Sequence, residues 1–297
     1  MSGHFLSIGE AMIEMAGGSQ GNWNMGVAGD TLNTAWYARR HLGADWRVSY
    51  FTALGEDRYS GTIRDFIDGA GIETGLIATI PERRPGLYFI HQENGDRHFT
   101  YWRDASAARL LARDRSALAN AISAVDVVYF SGITLAILSD TDRRAFLDVL
   151  GASVSRGTRV AFDPNIRPSL WRDEDEMRHW LMEGARVSTI ALPTFGDEAQ
   201  LFGDDDPAAT AVRYRAAGVS EIVVKNGRQP AYVDTGQRCF KVGAQEVENV
   251  VDATGAGDSF NGAYLAARLT GEDAREAAVK GHRTAATCLA SHGALIG

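Results

Sequence analysis

The sequence predicts an α/β protein in which helices cover a mainly parallel sheet. Several strand-like runs end in Gly, Asp or Asn and lead into an amphipathic stretch, an alternation typical of parallel sheets. The runs are apolar throughout, which indicates strands buried on both faces. They are Val48–Leu54, Val125–Phe130, Arg159–Phe162, Val187–Leu192 and Glu221–Lys225. Ligands bind beyond the carboxyl ends of such strands, so the loops that follow are the candidate site.

Composition narrows the class of protein. The 297 residues are 45% hydrophobic and 23% charged, without a linker or repeat, and predict one domain over 1–297. A net charge of −8 excludes nucleic acid or an anionic membrane as partner. The two cysteines, Cys239 and Cys288, predict a reducing compartment and two buried side chains. With no long apolar run, we expect a cytoplasmic protein.

One segment, Leu87–Arg103, breaks the βα rhythm and predicts a hairpin turning at Asn94-Gly95. A two-residue turn there pairs Tyr88 with Tyr101 and Ile90 with Phe99. Alternation then sends Tyr88, Tyr101 and Arg103 to one face. These aromatics fit simple packing of the ribbon, but the guanidinium among the phenols favours a site for a small polar anion.

The string Asp252–Asp258 stands directly before a helical pattern, Ser259–Leu269. Its small residues Gly255, Ala256 and Gly257 allow consecutive backbone amides to form an anion hole at the helix start. Asp258 falls in the first turn, where the helix dipole predicts an ionised carboxylate, and is the candidate general base. The alternative is a helix cap after a tight turn. Walker A and GxGxxG motifs are absent from the sequence.

These motifs resemble the ribokinase-like (PfkB-type) carbohydrate kinases. The resemblance rests on D-x-T-G-A-G-D at 252–258, the glycine-containing turn Gly26–Asn33, the turn Leu54–Asp57 and the strand and loop Val223–Gly227. It implies a three-layer αβα fold with a mainly parallel central sheet and a small β lid, whose segments lie near 12–25 and 87–103. Because lid sheets in the family commonly pair between subunits, it also implies a homo-oligomer.

Within the family, further strings resemble the members that phosphorylate 2-keto-3-deoxygluconate, among them Gly29–Thr34, Tyr101–Arg103 and Phe162–Pro168. The resemblance implies that the sugar acid contacts Gly29, Asp30, Tyr88, Tyr101, Arg103, Arg167 and Asp258. It also implies that ATP faces Asn165, Lys225, Gly227 and the amides of Gly255, Ala256 and Gly257.

The chemistry of a keto-deoxy acid suits this assignment. The acid carries a carboxylate at one end and a primary hydroxyl at the other, so its site needs cations opposite a base. Arg103 and Arg167 supply the cations, and Asp258 takes the proton of the 6-hydroxyl as the γ-phosphoryl group of ATP is transferred. Mg²⁺ on ATP is the expected cofactor.

The metal motif departs from the family pattern. Where the family has Pro-Asn-x-x-Glu, this chain has Thr194 for Asn and Asp197 for Glu. Asp197 and the adjacent Glu198 are the candidate Mg²⁺ ligands. The alternative is an ordinary helix start with an acidic first turn.

Three other functions stay open from sequence. A kinase of another sugar or sugar acid, such as fructose, ribose or 2-keto-3-deoxygalactonate, would share most of these motifs. A non-catalytic sugar-acid sensor would keep the fold, although the presence of Asp258 argues against it. A dinucleotide-dependent oxidoreductase is disfavoured by the missing fingerprint.

Overall fold

A computed structural model describes residues 2–17, 22–93 and 96–296 of the chain. Thirteen strands lie in these ranges and form two sheets. The strands are β1 (Gly3–Ile8), β2 (Met12–Gly17), β3 (Trp23–Ala28), β4 (Trp46–Leu54), β5 (Ile77–Thr79), β6 (Gly86–Glu93), β7 (Asp96–Trp102), β8 (Val127–Ser131), β9 (Arg159–Asp163), β10 (Ile190–Ala191), β11 (Glu221–Val224), β12 (Ala231–Asp234) and β13 (Cys239–Val242).

The large sheet has the order β13-β12-β11-β10-β9-β8-β1-β4-β5. Its strands pair in parallel from β5 to β11, and β12 and β13 add an antiparallel edge. Each predicted run overlaps one of these strands, with ends that differ by up to two residues in most cases, although Val187–Leu192 contributes only Ile190–Ala191. The prediction did not include β1, which lies inside the sheet, or the edge strands.

The small sheet has the order β3-β2-β6-β7 and is the predicted lid. β6 and β7 pair antiparallel with Tyr88 opposite Tyr101 and Ile90 opposite Phe99, which confirms the predicted register. The turn at 94–95 lies outside the described residues. β2 pairs antiparallel with β3 and parallel with β6, so the hairpin of β2 and β3 is joined edge to edge to the hairpin of β6 and β7.

Ten α-helices occur in the described ranges. Asp258 is the third residue of α9, which begins three residues before the predicted helix start and ends at the predicted Leu269. The helices are α1 (Asp30–His41), α2 (Arg58–Gly69), α3 (Arg115–Ser123), α4 (Gly132–Ile137), α5 (Asp140–Val154), α6 (Glu174–Arg186), α7 (Phe195–Phe202), α8 (Pro207–Ala216), α9 (Ala256–Leu269) and α10 (Ala274–Leu289).

The core lies on both faces of the large sheet. Successive residues of β1 point to opposite faces of the sheet and belong to different hydrophobic clusters. Phe5 packs with α1 and α9 on one face, and Leu6 packs with α5 and α6 on the other. Cys288 is buried as predicted, but Cys239 is exposed because it opens the edge strand β13. Among the described residues, no helix combines the length and apolar character needed to span a bilayer.

Candidate active site

The site is centred on the first turn of α9, which lies against the first turn of α1. The Asn33 side-chain amide donates a 2.8 Å hydrogen bond to Asp258 Oδ2. Thr34 adds a longer contact of 3.4 Å from its hydroxyl to the Asp258 carbonyl oxygen. Two residues of α1, the helix that begins at Asp30 after Gly29, therefore hold Asp258 in position.

The protonation of Asp258 differs from the sequence-based expectation. The residue is half-buried but densely surrounded by protein, and the resulting desolvation, with the nearby charge of Asp30, raises its pKa to about 7. The Asn33 hydrogen bond acts in the opposite direction. The predicted stabilisation of the anion by the helix dipole is outweighed, because desolvation penalises the charged form directly. A carboxyl group with a pKa near 7 is well matched to general base catalysis.

The amides before Asp258 form the predicted concave turn. Gly255 is the N-cap residue of α9 and has a φ of 76°, which favours glycine. A Cβ at Gly255 would also lie only 2.8 Å from atoms of Ala294. Within the described ranges, the amide of Ala256 has a long 3.4 Å bond to Ala253, and those of Gly257 and Asp258 have no backbone acceptor. Such free amides at a helix start are suited to a phosphate group.

The end of β9 contributes a second set of polar groups. Asn165 donates its side-chain amide to Asp30 Oδ2 at 2.9 Å, and its backbone amide to Asp163 Oδ1 at 2.9 Å. Its φ of 35° is unusual for a residue other than glycine. Strain of this kind is often retained at functional sites. The hydrogen bond to Asp30 joins the end of β9 to the first turn of α1, and the predicted nucleotide contact of Asn165 stays a prediction.

Lys225 is buried under the start of α9. Its ammonium group donates to Asp163 Oδ2 at 2.7 Å and to Asn261 Oδ1 at 3.1 Å. The same Asn261 donates to Asp163 Oδ2 at 2.6 Å. A Cβ on Gly257 would lie 3.6 Å from Lys225 Nζ, so the cation lies next to the first turn of α9. Gly227 lies apart in an exposed turn after β11.

The lid presents two tyrosines to this region. The rings of Tyr88 and Tyr101 lie 5.5 Å apart on one face, and the Tyr88 hydroxyl donates to Glu14. Burial, with the charges of Glu14 and Asp258, raises the pKa of Tyr88, so the lid lies close to the first turn of α9. Tyr101 is 45% exposed. Partial burial raises the pKa of its hydroxyl, and the nearby charges of Arg103 and Arg167 act in the opposite direction.

The two candidate arginines differ in their surroundings. Arg103 is 6% exposed and forms an ion pair with Glu10, which lies between β1 and β2. Its guanidinium carbon lies 5.8 Å from the centre of the Tyr101 ring. Arg167 is exposed, and one guanidinium nitrogen donates to the Ile166 carbonyl oxygen at 2.8 Å. Arg103 thus has a protein counter-ion, a feature that the sequence did not predict.

The two candidate metal ligands lie in different environments. Asp197 is half-buried, and desolvation raises its pKa, with Arg167, Asp163 and Lys225 as charged neighbours. Asp197 therefore belongs to the candidate site. No cluster of three or more potential metal ligands is present in the part of the chain that the structure describes.

Glu198 is fully buried away from these groups. Its two oxygens accept bonds from Arg213, at 2.8 Å, and from the hydroxyl of Tyr214, at 3.0 Å. Burial raises its pKa to about 7 despite the Arg213 partner. The carboxylate is thus committed to a structural ion pair, and the candidate role of Glu198 as a metal ligand finds no support in its geometry.

Sequence reasoning missed three polar residues of the site. Asn33 lies one helical turn after Asp30, a spacing that places both side chains on one face and that the sequence contained. Glu10 is an acidic residue directly after a buried strand, which was a signal for a paired charge. Asn261 is one turn after Asp258 in α9 and is completely buried.

Comparison with known proteins decides the family. The model of the pfkB family carbohydrate kinases matches residues 3–297. This chain belongs to the PfkB family of carbohydrate kinases. PfkB kinases use ATP, and the chain is therefore an enzyme that transfers phosphoryl groups to a carbohydrate.

Curated PfkB relatives match over the full chain. A 2-dehydro-3-deoxygluconokinase of Dickeya dadantii is 40% identical, covering 97% of this chain and 95% of its own. One of Escherichia coli strain K12 is 39% identical, with coverages of 100% and 98%. A solved E. coli protein described as a Ribokinase II in complex with ATP and Mg²⁺ superposes with a TM-score of 0.85 at 26% identity, covering 99% of this chain and 94% of its own. These matches show the ribokinase-like fold for this chain.

Proposed function

We propose that this PfkB kinase transfers the γ-phosphoryl group of ATP to the 6-hydroxyl of 2-keto-3-deoxy-D-gluconate, giving 2-keto-3-deoxy-6-phosphogluconate and ADP. The observation that carries the proposal is the full-length identity of 39–40% to relatives named 2-dehydro-3-deoxygluconokinase. The geometry around Asp258 supports it, because a base, an anion hole and a guanidinium-bearing lid surround one region of the chain.

The start of α9 supports the chemical step. Asp258, oriented by Asn33, is the proposed general base that accepts the proton of the 6-hydroxyl. The amides of Gly255, Ala256 and Gly257 form the proposed anion hole for the transferred group. Phosphoryl transfer passes through a loose transition state, so catalysis depends mainly on positioning and on neutralising charge.

The lid and the start of α1 support recognition of the sugar acid. Arg103, with Arg167 from the body, is proposed to bind its carboxylate, since guanidinium groups suit carboxylates geometrically. Tyr88 and Tyr101 would line the sugar from the lid. On the other side, Gly29 and Asp30 would contact its hydroxyls. A closed lid excludes water, which limits competing hydrolysis of ATP.

Nucleotide contacts are proposed for Asn165, Lys225 and Gly227, beside the amides of Gly255, Ala256 and Gly257. Mg²⁺ commonly binds one or two carboxylates while keeping several waters and phosphate oxygens, so a single acidic residue such as Asp197 fits that need. When bound, Mg²⁺ would neutralise charge on the phosphate oxygens of ATP. A cytoplasmic location and a homo-oligomer complete the proposal.

A substrate panel tests the proposal. Purified enzyme with ATP and Mg²⁺ is assayed for ADP against keto-deoxy sugar acids and neutral hexoses, in wild type and in Arg103→Ala. We expect ADP with 2-keto-3-deoxygluconate, and a selective loss of acidic substrates in the variant. If Arg103→Ala lowers activity equally with acidic and with neutral substrates, Arg103 does not bind the substrate carboxylate.

Two other results would redirect the assignment. Turnover of fructose or ribose without turnover of the keto acid would indicate a different PfkB substrate. Thermal stabilisation by the keto acid without ADP formation would indicate a sensor. Either result would overturn the proposed reaction.

A further inference from the structure

Four chain segments connect the large sheet with the lid, and Glu10 contacts the other three. Glu10 itself lies on the first, between β1 and β2. Gly29 follows β3, Gly86 begins β6, and Arg103 follows β7. Glu10 therefore lies where all the connections between body and lid converge.

The contacts of Glu10 with two glycines are unusually close. A Cβ on Gly29 would lie 2.3 Å from the Glu10 backbone oxygen, and one on Gly86 would lie 2.8 Å from Glu10 Oε1. Neither position accepts a larger residue without a shift of the backbone or of the carboxylate. The Glu10 backbone is thus packed closely against Gly29, and its carboxylate against Gly86.

The third contact is the ion pair with Arg103. The Glu10 side chain is 1% exposed and that of Arg103 is 6% exposed, and Glu10 Oε2 accepts from Arg103 Nη2. The match is incomplete, because Glu10 Oε1 and Arg103 Nε are both buried without a hydrogen-bond partner in the described part of the chain. A buried pair left incompletely bonded is a poor source of stability. The ion pair is better explained by the position that it gives the Arg103 guanidinium.

The N–H groups of Arg103 that do not bond to Glu10 are the ones that could bind a substrate. A guanidinium carries five N–H donors in one plane, so a single bond to Glu10 leaves most of them for another acceptor. Arg103 also lines a cavity of about 360 Å³ at the base of the lid, together with Tyr101, Asp104 and Ser106, and none of the groups at the starts of α1 and α9 lines it. The Ser106 hydroxyl is buried without a partner among the described residues. The charges of Arg103, Arg167 and Asp30 all act on the Tyr101 hydroxyl, so the Arg103 guanidinium also lies near the other proposed sugar-acid groups.

We propose that Glu10 is a positioning residue for Arg103. It fixes the guanidinium plane at the base of the lid, so that the free N–H groups face the substrate carboxylate, and it balances the buried cation when no substrate is bound. The inference rests on the proposed function, because it requires a substrate whose carboxylate binds Arg103.

Replacement of Glu10 should act through substrate binding. In Glu10→Ala the guanidinium loses its fixed acceptor, and we expect KM for the keto acid to rise about tenfold or more with kcat changed much less, the size of one charge-assisted hydrogen bond. Glu10→Gln keeps an oxygen acceptor of the same shape and should restore most of the affinity. Glu10→Asp sets the carboxylate back by one methylene and should raise KM while preserving the fold.

A double-mutant cycle on KM distinguishes positioning from general stability. Kinetics with 2-keto-3-deoxygluconate are measured for wild type, Glu10→Ala, Arg103→Ala and the double variant. If Glu10 acts through Arg103, the double variant binds the acid no worse than Arg103→Ala alone. The control, Glu221→Ala, breaks the Arg268 ion pair at the far end of α9, and should lower Tm without changing KM.

The outcomes separate the two proposals. Suppose that the wild-type enzyme phosphorylates the keto acid. Additive effects of the two substitutions on KM, or a wild-type KM in both Glu10→Ala and Glu10→Asp, then overturn the positioning role of Glu10 and leave the proposed function standing. If Glu10→Ala does not fold, Glu10→Asp decides by the same criterion. Wild type that does not phosphorylate the keto acid overturns the proposed function and this inference together.

Discussion

The Asn33 side chain donates a 2.8 Å hydrogen bond to Asp258 Oδ2 across 225 positions of sequence. The bond joins the first turn of α1, which begins after Gly29, to the first turn of α9, which begins after Gly255. It occupies one oxygen of the carboxylate. The other, Oδ1, has no side-chain partner among the described residues and is the oxygen we expect to accept the substrate proton.

Replacing the proposed base should stop turnover and preserve binding. Asp258→Asn keeps the shape of the side chain but removes the proton acceptor, so we expect a loss of roughly 10²–10⁴ in kcat. Coupled ADP assays measure the loss, and thermal shift with the keto acid reports binding. As a matched control, Asp114→Asn alters the exposed cap of α3 and should leave kcat unchanged. Near-normal turnover in Asp258→Asn would exclude the carboxylate as base.

The raised pKa of Asp258 predicts an acid limb in the pH profile. Because the carboxylate form is the base, kcat/KM should fall below about pH 7 and level off above it. Asp30 raises this pKa and Asn33 lowers it. The limb should therefore move to lower pH in Asp30→Asn and to higher pH in Asn33→Ala. Shifts in the same direction would contradict this electrostatic account.

The same pKa has a consequence for stability. The folded value lies above the unfolded value of about 4. Protonated Asp258 thus favours folding at acid pH, and this contribution is lost as pH rises through about 7. Asp258→Asn should remove that dependence from the free energy of unfolding of the ligand-free protein.

Gly255 and Gly203 offer a matched pair of substitutions. Their φ values are 76° and 75°, so alanine has the same backbone cost at both, about 1–2 kcal/mol. At Gly203 the new Cβ meets nothing within 4 Å, whereas at Gly255 it overlaps Ala294. Urea unfolding should show a larger loss for Gly255→Ala, and only that variant should lose kcat. Equal losses of stability would show that the Ala294 contact is unimportant.

The buried pair of Lys225 and Asp163 predicts strong coupling. Lys225→Met leaves the Asp163 carboxylate buried without its cation, at a cost of about 3–5 kcal/mol. Adding Asp163→Asn removes the unpaired charge, so the double variant should recover most of that loss. The free energy of unfolding in urea measures both. If the two losses simply add, the residues do not act as a pair.

Local patterns in the sequence predicted much of the fold, but they did not predict which charged residues pair across long stretches of the chain. The apolar strands and the register of Tyr88 with Tyr101 follow from burial and a two-residue turn, which are short-range properties. The edge strand β13 was missed because only Val242 of its four residues is buried, so the strand contains no apolar run. The ion pair of Glu10 with Arg103 spans 93 positions and leaves no periodic signal. The pKa of Asp258 was misjudged because desolvation depends on residues far along the chain.

The parallel pairing of β2 with β6 determines how the cleft can open. Five residue pairs, from Met12 with Gly86 to Ala16 with Ile90, join the two hairpins. One hairpin cannot move away from the other without breaking that ladder, so any opening of the small sheet has to move both hairpins together. We therefore expect substrate binding and product release to depend on the same movement, so that a mutation that weakens the pairing of β2 with β6 changes both rates together.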